Sequence, residues 1–468
     1  MISQFMIYSR FRHRAYLLTM LTSIGLLMLS TTLQAEPPAP VLPYQSLHET
    51  QGTVTCASSL CHGAIKTWKE SNVLQNEYIT WSRTDKHAKA YNKLLNAKSQ
   101  QIAKKLGLKQ PAHEAKICLD CHAHNVPEDR RGDRFKLADG VTCEGCHGPA
   151  EKWLVTHVEL DASHAKNKAA GLYPTSDAAP RAKLCLSCHF GNKDKLVTHR
   201  MMAAGHPRLS FELDTFTEIA PKHFVVDKDY AARKQVWDEL KTWAIGQALV
   251  VSETMDILLD EKRGRDGLFP ELILFDCHAC HHPMSENRWK PKNAFGASIS
   301  PGLVRLNDGN LLMLRAVAFA IEPAQGEAIA EQIRKLHRAI AGDGDVQTEA
   351  LALKKMANDL VTVISHKPLN TATIRSAALR LIDDGLEGYY ADYATAEQAV
   401  MAISSVGSFL NKQSGIRNVA AFNQNLRKLN DALASDERYK PAEFAARLRE
   451  LRTAFATIPA SISVPDPK

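Results

Sequence analysis

Every cysteine of this chain belongs to a pair that is followed at once by a histidine. Five such units occur, and they read CASSLCH, CLDCH, CEGCH, CLSCH and CHACH. Four units have two residues between the cysteines, whereas the first unit has four. The cysteine pairs are Cys56 and Cys61, Cys118 and Cys121, Cys143 and Cys146, Cys185 and Cys188, and Cys277 and Cys280. The histidines that end the units are His62, His122, His147, His189 and His281.

The spacing C-x-x-C-H is the attachment signature of c-type haem. Two thiols add across the two vinyl groups on one edge of the porphyrin, and the next residue supplies an imidazole as the proximal ligand of iron. Disulfides in exported proteins and zinc ribbons also use paired cysteines. Neither requires a histidine after every second cysteine, and a redox C-x-x-C would occur only once. The sequence therefore predicts five covalently bound c-type haems, with the ten cysteines as their attachment points.

The longer spacer of the first unit needs its own explanation. Two extra residues must loop away from the porphyrin edge if the sulfurs of Cys56 and Cys61 are both to reach vinyl groups. Ala57, Ser58 and Ser59 are small residues that suit such a turn. A disulfide between the two cysteines would leave His62 without a role. We therefore interpret the first unit as a fifth haem site.

The remaining histidines are concentrated in the same part of the sequence as the units, as ligation of iron by two histidines requires. We expect the second axial ligands to be His87, His124, His157, His206 and His282. Surface positions are favoured for His48, His113 and His164, while His199, His223 and His278 stay undecided. Met201 and Met202 are a weaker alternative, because methionine in a helix more often packs than ligates.

The elements that position these residues fall into four predicted segments. Residues 1–35 resemble a signal peptide: three arginines precede an apolar run at 15–30, and Ala35 ends the segment before a Pro-rich stretch. The run is short for a span of about 20 residues, which favours cleavage over a retained membrane anchor. We therefore expect a periplasmic or otherwise exported protein with no stable transmembrane span after cleavage. Residues 36–54 form a linker.

Two further segments complete the predicted organisation. Residues 55–290 form a pentahaem cytochrome domain of short helices and irregular loops, apart from one long helix near 230–263. Residues 291–468 contain no cysteine and form a C-terminal, bundle-like helical domain. The predicted fold class is thus mainly α. The amphipathic pattern predicts C-terminal helices near 308–322, 324–341, 346–365, 371–386, 394–411, 416–433 and 441–456.

Charge excludes one class of partner. Removal of the signal arginines lowers the formal net charge from +7 to +4, and no basic cluster is interleaved with aromatic residues. Nucleic acid is therefore a poor candidate partner. Haem propionates would make the loaded protein about neutral or negative, which suggests docking to a basic patch on a redox partner.

Several segments resemble the multihaem cytochromes related to the tetrahaem electron acceptor of hydroxylamine oxidoreductase. The resemblance lies in CASSLCHGA, WSRTDKHAKAY, DGVTCEGCHGPAEKWLVTH and CLSCH, and THRMMAAGHPRLSFELDTFTEIAPKHF and LILFDCHACHHP are similar to larger pentahaem members. It implies mostly bis-histidine haems packed edge to edge or in stacked pairs. It also implies that His157 lies opposite His62 and that His87 serves the haem at Cys143 and Cys146. The haem at Cys118 and Cys121 would be five-coordinate, although His124 lies close by in sequence.

The leading interpretation is a periplasmic cytochrome that transfers electrons along its haems in a respiratory pathway. Its partners would be other cytochromes or a quinol-linked membrane complex. The alternative is a haem-based oxidoreductase acting on hydroxylamine, nitrite or nitric oxide at a five-coordinate haem. Whether the protein is an enzyme stays open, with an electron carrier favoured. A third possibility is a structural subunit of a respiratory complex, docked through its C-terminal helices.

Overall fold

Short helices and turns make up the part of the chain that carries the first four units. The computed structural model describes residues 40–456 and 458, except 70–72, 235, 237–238, 265–270, 278–279, 282–291, 295–296, 301–302, 304, 368, 413–415 and 417. The predicted signal peptide therefore lies outside the described residues, as does His282. The α-helices described in this part are α1 (Glu77–Thr84), α2 (Ala90–Leu94), α3 (Ala97–Lys105), α4 (Lys116–His122), α5 (Cys143–His147), α6 (Trp153–Thr156), α7 (His164–Ala169), α8 (Ala178–His189), α9 (His199–Ala204), α10 (Leu213–Ile219) and α11 (Lys228–Arg233).

Local sequence explains why these helices are short. Side chains of Asn96, Thr142, Ser163 and Thr198 accept backbone N–H groups at the starts of α3, α5, α7 and α9. Glycine ends α9, where Gly205 has a left-handed φ of 118° that other residues rarely adopt. Buried side chains around Leu94 and around Leu106 form two small clusters, whereas those near the fourth unit, such as Leu186, join the large core of the C-terminal part.

One long helix, α12 (Glu239–Leu259), crosses the middle of the molecule. Trp243, Ala248 and Met255 are almost completely buried, and burial extends around most of the helix rather than along one stripe. It packs against α8 and also against helices of the C-terminal part. The prediction of a helix from 230 is wrong at its start, because Lys234 is extended and separates α11 from α12.

In the described residues of the C-terminal part, a small hairpin is followed by seven α-helices. The hairpin pairs β1 (Lys292–Ala294) with β2 (Ala297–Ile299) in antiparallel register. The helices are α13 (Gly309–Ile321), α14 (Pro323–Ile340), α15 (Val346–His366), α16 (Thr371–Leu386), α17 (Tyr393–Lys412), α18 (Val419–Asp431) and α19 (Pro441–Ala456). Their bounds agree with the predicted ones to within three residues, and the mainly α fold class is confirmed.

A single core joins the two predicted domains. Leu186 of α8, Trp243 of α12 and Leu312 of α13 belong to one cluster of buried apolar side chains. The boundary at residue 290 therefore stays a prediction, because the described contacts from Val41 onward form one compact unit. Among the residues described, no helix combines the length and apolar character that a membrane crossing needs.

Candidate haem sites

Four of the units use the same local backbone geometry. Helices α4, α5 and α8 each end at the histidine of their unit. In the fifth unit, the His281 N–H donates to the Cys277 carbonyl at 2.8 Å, which closes one helical turn. Residues three apart in a helical turn lie on the same side. Both thiols of each unit can therefore face one edge of a planar group.

The first unit keeps this closure and loops out its extra residues. The His62 N–H donates at 3.2 Å to the carbonyl of Cys56, which lies six residues earlier. In the fifth unit the corresponding donor and acceptor are only four residues apart. The N–H groups of Cys61 and Gly63 both donate to the Ser58 carbonyl at 2.9 Å. A Cβ at position 63 would lie 1.9 Å from the Ala57 carbonyl oxygen, so the turn requires glycine there. The loop is the one that the spacer predicts.

Sulfur atoms of different units lie beside one another. Cys143 donates a thiol hydrogen bond to Cys56, which lowers the pKa of Cys56. Cys121 donates in the same way to Cys188, and this bond and the Lys195 ammonium lower the pKa of Cys188. Burial raises the pKa of Cys146 to about 12, with a smaller contribution from the nearby Cys185. All ten cysteines carry free thiols.

Four histidines of the units each face a histidine from outside the units. The ring centroids are separated by 6.3 Å between His62 and His157 and by 6.2 Å between His147 and His223. They are 5.9 Å apart between His87 and His189 and 6.1 Å apart between His199 and His281. An iron held by two imidazole nitrogens at about 2 Å each separates the ring centroids by about 6 Å. Every contact between two histidine rings in the described residues thus has the spacing of a bis-histidine iron site.

These pairings agree only in part with those that the resemblance implies. His157 faces His62, as the resemblance implies. His87 faces His189 of the fourth unit and not His147 of the third. Asp85 holds His87 by accepting from its backbone N–H and by contacting its Nδ1, and in this position its ring meets His189, on which Phe211 and Phe216 pack at 4.9 and 5.6 Å.

Sequence reasoning left His199 and His223 undecided, although the structure places both opposite histidines of units. Their partners are far away in sequence, so spacing alone gives no signal for either pairing. A weak signal exists for His199, because Thr198 caps the helix that it begins. Both histidines also lie in the segment that resembles larger pentahaem cytochromes.

Hydrogen bonds hold several histidines of the units and several candidate second ligands through Nδ1, which leaves their Nε2 atoms available to iron. Nδ1 lies 3.0 Å from Glu77 Oε2 in His62 and 2.9 Å from Asp85 Oδ1 in His87. Nδ1 of His122, His157 and His206 lies 3.1, 2.7 and 2.8 Å from a backbone carbonyl oxygen. Histidines that bind metal commonly donate their other ring nitrogen to such an acceptor. By contrast, His164 uses Nε2 for its contact with Ser176.

The second unit differs from the others. No histidine ring among the described residues makes a ring contact with His122. His122 influences His206 electrostatically: burial is the main cause that lowers the pKa of His206, and the charge of His122 adds to the effect. Within the described part of the chain, His122 therefore lacks the histidine partner that the other four unit histidines have.

His124 is buried but is not paired with the histidine of any unit. Its Nδ1 lies 3.1 Å from Thr142 Oγ1, and its Nε2 has no hydrogen-bond partner among the described residues. Burial, with a smaller contribution from Lys195, lowers its pKa to about 3. The ring lies next to Gly145, between the second and third units. Its predicted role as an iron ligand thus gains no partner ring.

The residues of the units fit covalently bound haem. The thiols are free, and four of the five unit imidazoles are paired at the appropriate separation. Burial is the main cause that lowers the pKa of His147 to about 3, which keeps the ring neutral as iron ligation requires. Within the described residues, no three His, Cys, Asp or Glu side chains are grouped as ligands of a bare metal ion.

Comparison with known proteins gives one match. The model of the family described as cytochrome c554 and c-prime matches residues 55–148, which contain the first three units. No curated protein matches the chain, and no solved structure matches it. The matched segment supports a c-type cytochrome family, with covalently bound haem and electron transfer as its chemistry.

Proposed function

We propose that this protein is an exported pentahaem c-type cytochrome that passes electrons along five covalently bound haems. The observation that carries the proposal is the pairing of four unit histidines with four other histidines at 5.9–6.3 Å. Chance ring contacts would not select one member from a haem-attachment unit each time. The family match of residues 55–148 supports the same chemistry for the first three units.

Contacts between units support one linear order for the relay. The first unit adjoins the third through Cys56 and Cys143, and the third adjoins the fourth through Cys146 and Cys185. The fourth adjoins the second through Cys188 and Cys121. Helix α9 then leads to the fifth, because it begins at His199 and is followed by His206 near His122. The proposed order of units is first, third, fourth, second and fifth.

A bound haem supplies a one-electron ferric–ferrous couple. The chain's own residues hold the imidazoles and set the charge around them. The Glu77 carboxylate raises the pKa of His62, and the Asp85 carboxylate raises the pKa of His87. An imidazole held by a carboxylate is a stronger donor to iron and favours the ferric state. Backbone carbonyls give His122 and His157 weaker support, so we expect the potentials to differ along the row.

The location and partners belong to this proposal. The signal-like N-terminus supports export to the periplasm, where c-type haem is attached. The protein would be a pentahaem relative of the tetrahaem acceptor of hydroxylamine oxidoreductase, with an added C-terminal helical domain. It would exchange electrons in respiration with other cytochromes or with a quinol-linked membrane complex.

Low-temperature electron paramagnetic resonance of the oxidised holoprotein tests the proposal. Histidine ligands on both sides of iron give low-spin ferric signals, and we expect them for the first, third, fourth and fifth units. Predominantly high-spin ferric signals from these four units would contradict the ring pairing and, with it, the proposed relay.

A second candidate function rests on His122, which faces no histidine ring in the described part of the chain. We infer a haem-based oxidoreductase as the alternative, with a small nitrogen compound bound at the open side of the second haem. Hydroxylamine, nitrite or nitric oxide should then shift a high-spin ferric signal that the untreated protein shows. An all-low-spin spectrum would remove the site that this alternative needs.

A further inference from the structure

A groove of about 550 Å³ opens on the surface beside the second and fourth units. Basic side chains dominate its lining: Lys116, Lys193, Lys195, Lys262 and Arg263. Residues 116, 117 and 120 of α4 line the groove, whereas residues 118 and 121 carry the thiols. At 100° per residue, Lys116 and Asp120 lie on the side of the helix away from Cys118, whereas Ile117 lies beside Cys121. The groove therefore borders the attachment face of α4.

Positive charge exceeds negative charge in the groove. Five basic side chains face two carboxylates, of which Asp120 pairs with Lys116 at 2.6 Å and Asp194 accepts from Tyr44 and Gln45 at 3.1 and 2.7 Å. Lys193 and Lys262 are exposed, and neither forms an ion pair with any described residue. The groove thus presents uncompensated positive charge to the solvent.

The floor of the groove contacts an attachment sulfur. Lys195 is only 8 % exposed, and its Nζ lies 3.2 Å from Cys188 Sγ and 2.9 Å from the carbonyl oxygen of Asp120. The same ammonium lies 3.9 Å from the centroid of the Tyr44 ring. One side chain therefore joins the solvent-facing groove to the fourth unit and to the helix of the second unit.

We propose that this groove is the docking surface of an acidic electron-transfer protein, which exchanges electrons with the haems of the second and fourth units. The proposal rests on the proposed function and names the site and charge of its partner. Exposed lysines at a rim steer a negatively charged protein surface and accelerate its association. The basic groove predicts an acidic partner, whereas the net charge of the loaded chain suggests a partner with a basic patch. The charges that line the groove dominate docking, because salt screens the more distant charges of the chain.

The test compares two charge-reversed holoproteins. Lys193→Glu with Lys262→Glu reverses the groove, and Lys335→Glu with Lys367→Glu makes the same charge change at exposed lysines of the C-terminal part. The probe is a bacterial flavodoxin, an acidic one-electron carrier. Its dissociation constant is measured by calorimetry, and its rate of haem reduction is measured by stopped flow at low and at high salt. We expect the groove variant to lose about tenfold in affinity and association rate at low salt, and the control variant to stay near wild type.

Equal losses in both variants would overturn the proposal, because net charge alone would then explain them. Unchanged binding in the groove variant would also overturn it. Binding of inorganic phosphate or nitrite that is lost in the groove variant, with unchanged flavodoxin kinetics, would show a small-anion site instead. If flavodoxin binds the groove but reduces no haem, the docking surface stands and the proposed electron-transfer function fails.

Discussion

Individual side chains determine whether an iron held by a unit histidine would also have a second histidine ligand. His157 ends the one-turn helix α6, and Trp153 packs on its ring at 5.4 Å. Its Nδ1 lies 2.7 Å from the Leu154 carbonyl oxygen, so the ring is held with Nε2 toward His62. The ring is thus positioned from two sides before any iron is bound, which is the preorganisation that a ligand requires.

Replacing His157→Ala should therefore open one iron without unfolding the protein. We expect one low-spin ferric signal to be replaced by a high-spin signal, because the first haem keeps only His62. His164→Ala is the matched control, since its Nε2 contacts Ser176 instead of a histidine of a unit. Electron paramagnetic resonance of both holoproteins checks the prediction, and an unchanged low-spin population in the His157 variant would contradict it.

Lys195 should raise the reduction potential of the haems nearest to it. A buried positive charge stabilises the ferrous form, by about 1–2 kcal/mol at about 10 Å in a medium of effective dielectric constant near 20. Lys195→Met should lower the potential of at least one haem, whereas Lys195→Arg should preserve it. Spectroelectrochemical titration measures both variants, and identical titration curves for wild type and the Met variant would refute the role.

At the scale of elements, carboxyl groups attach the segment around the fourth unit to the C-terminal helices. Glu212 caps α10 by accepting the N–H groups of Asp214 and Thr215, and Ser405 of α17 donates to it at 3.3 Å. Phe211 and Phe216 on either side of this cap pack on the His189 ring. A proximal histidine is thereby held by a contact that crosses between the two predicted domains.

The buried Asp214, which lies beside this cap, should make the stability of the fold depend on pH. Burial, and then repulsion from Glu212, raise the pKa of Asp214 to about 7. The unfolded carboxyl titrates near about 4, so the folded state binds its proton more tightly and loses stability as pH rises from about 4 to about 7. Asp214→Asn should thus increase the free energy of unfolding by about 1–3 kcal/mol at pH 8 and by much less at pH 5.

Urea unfolding at the two pH values, followed by circular dichroism, measures the difference. Asp133→Asn is the control, because Asp133 is exposed. It should show the same small effect at both pH values. A stabilisation of the Asp214 variant that does not change with pH would contradict the explanation by titration.

The sequence is informative about these elements to different degrees. The C-terminal helices follow from amphipathic periodicity and from breaks such as Gly342 and Gly344, because both are local properties. The attachment units follow from chemistry that fixes residue types at fixed spacing. The pairing of His147 with His223, or of His87 with His189, depends on contacts far apart in sequence that no local pattern contains. The start of α12 was missed because an extended Lys234 interrupts an otherwise continuous helical pattern.

At the scale of the whole molecule, the five units form a row in the proposed order, and the two ends of the row differ in their surroundings. The first unit lies at one end of the proposed order, and the fifth lies at the other, where Asp276 precedes Cys277. Arg305 bonds Asp276 at 3.4 Å and Asp392 at 2.6 Å, which connects this end to the C-terminal helices through buried charges. Breaking a buried ion pair costs several kcal/mol, so this connection should keep the fifth unit fixed.

The central claim is that all five units carry covalent haem, including the first unit with its longer spacer. Intact mass spectrometry of the purified, denatured holoprotein tests it most directly, because covalent haem survives denaturation. We expect one wild-type species whose mass exceeds that of the polypeptide by five haems. The double variant Cys56→Ala with Cys61→Ala should carry one haem fewer. A wild-type mass with four haems or fewer, or no loss in that variant, would contradict it.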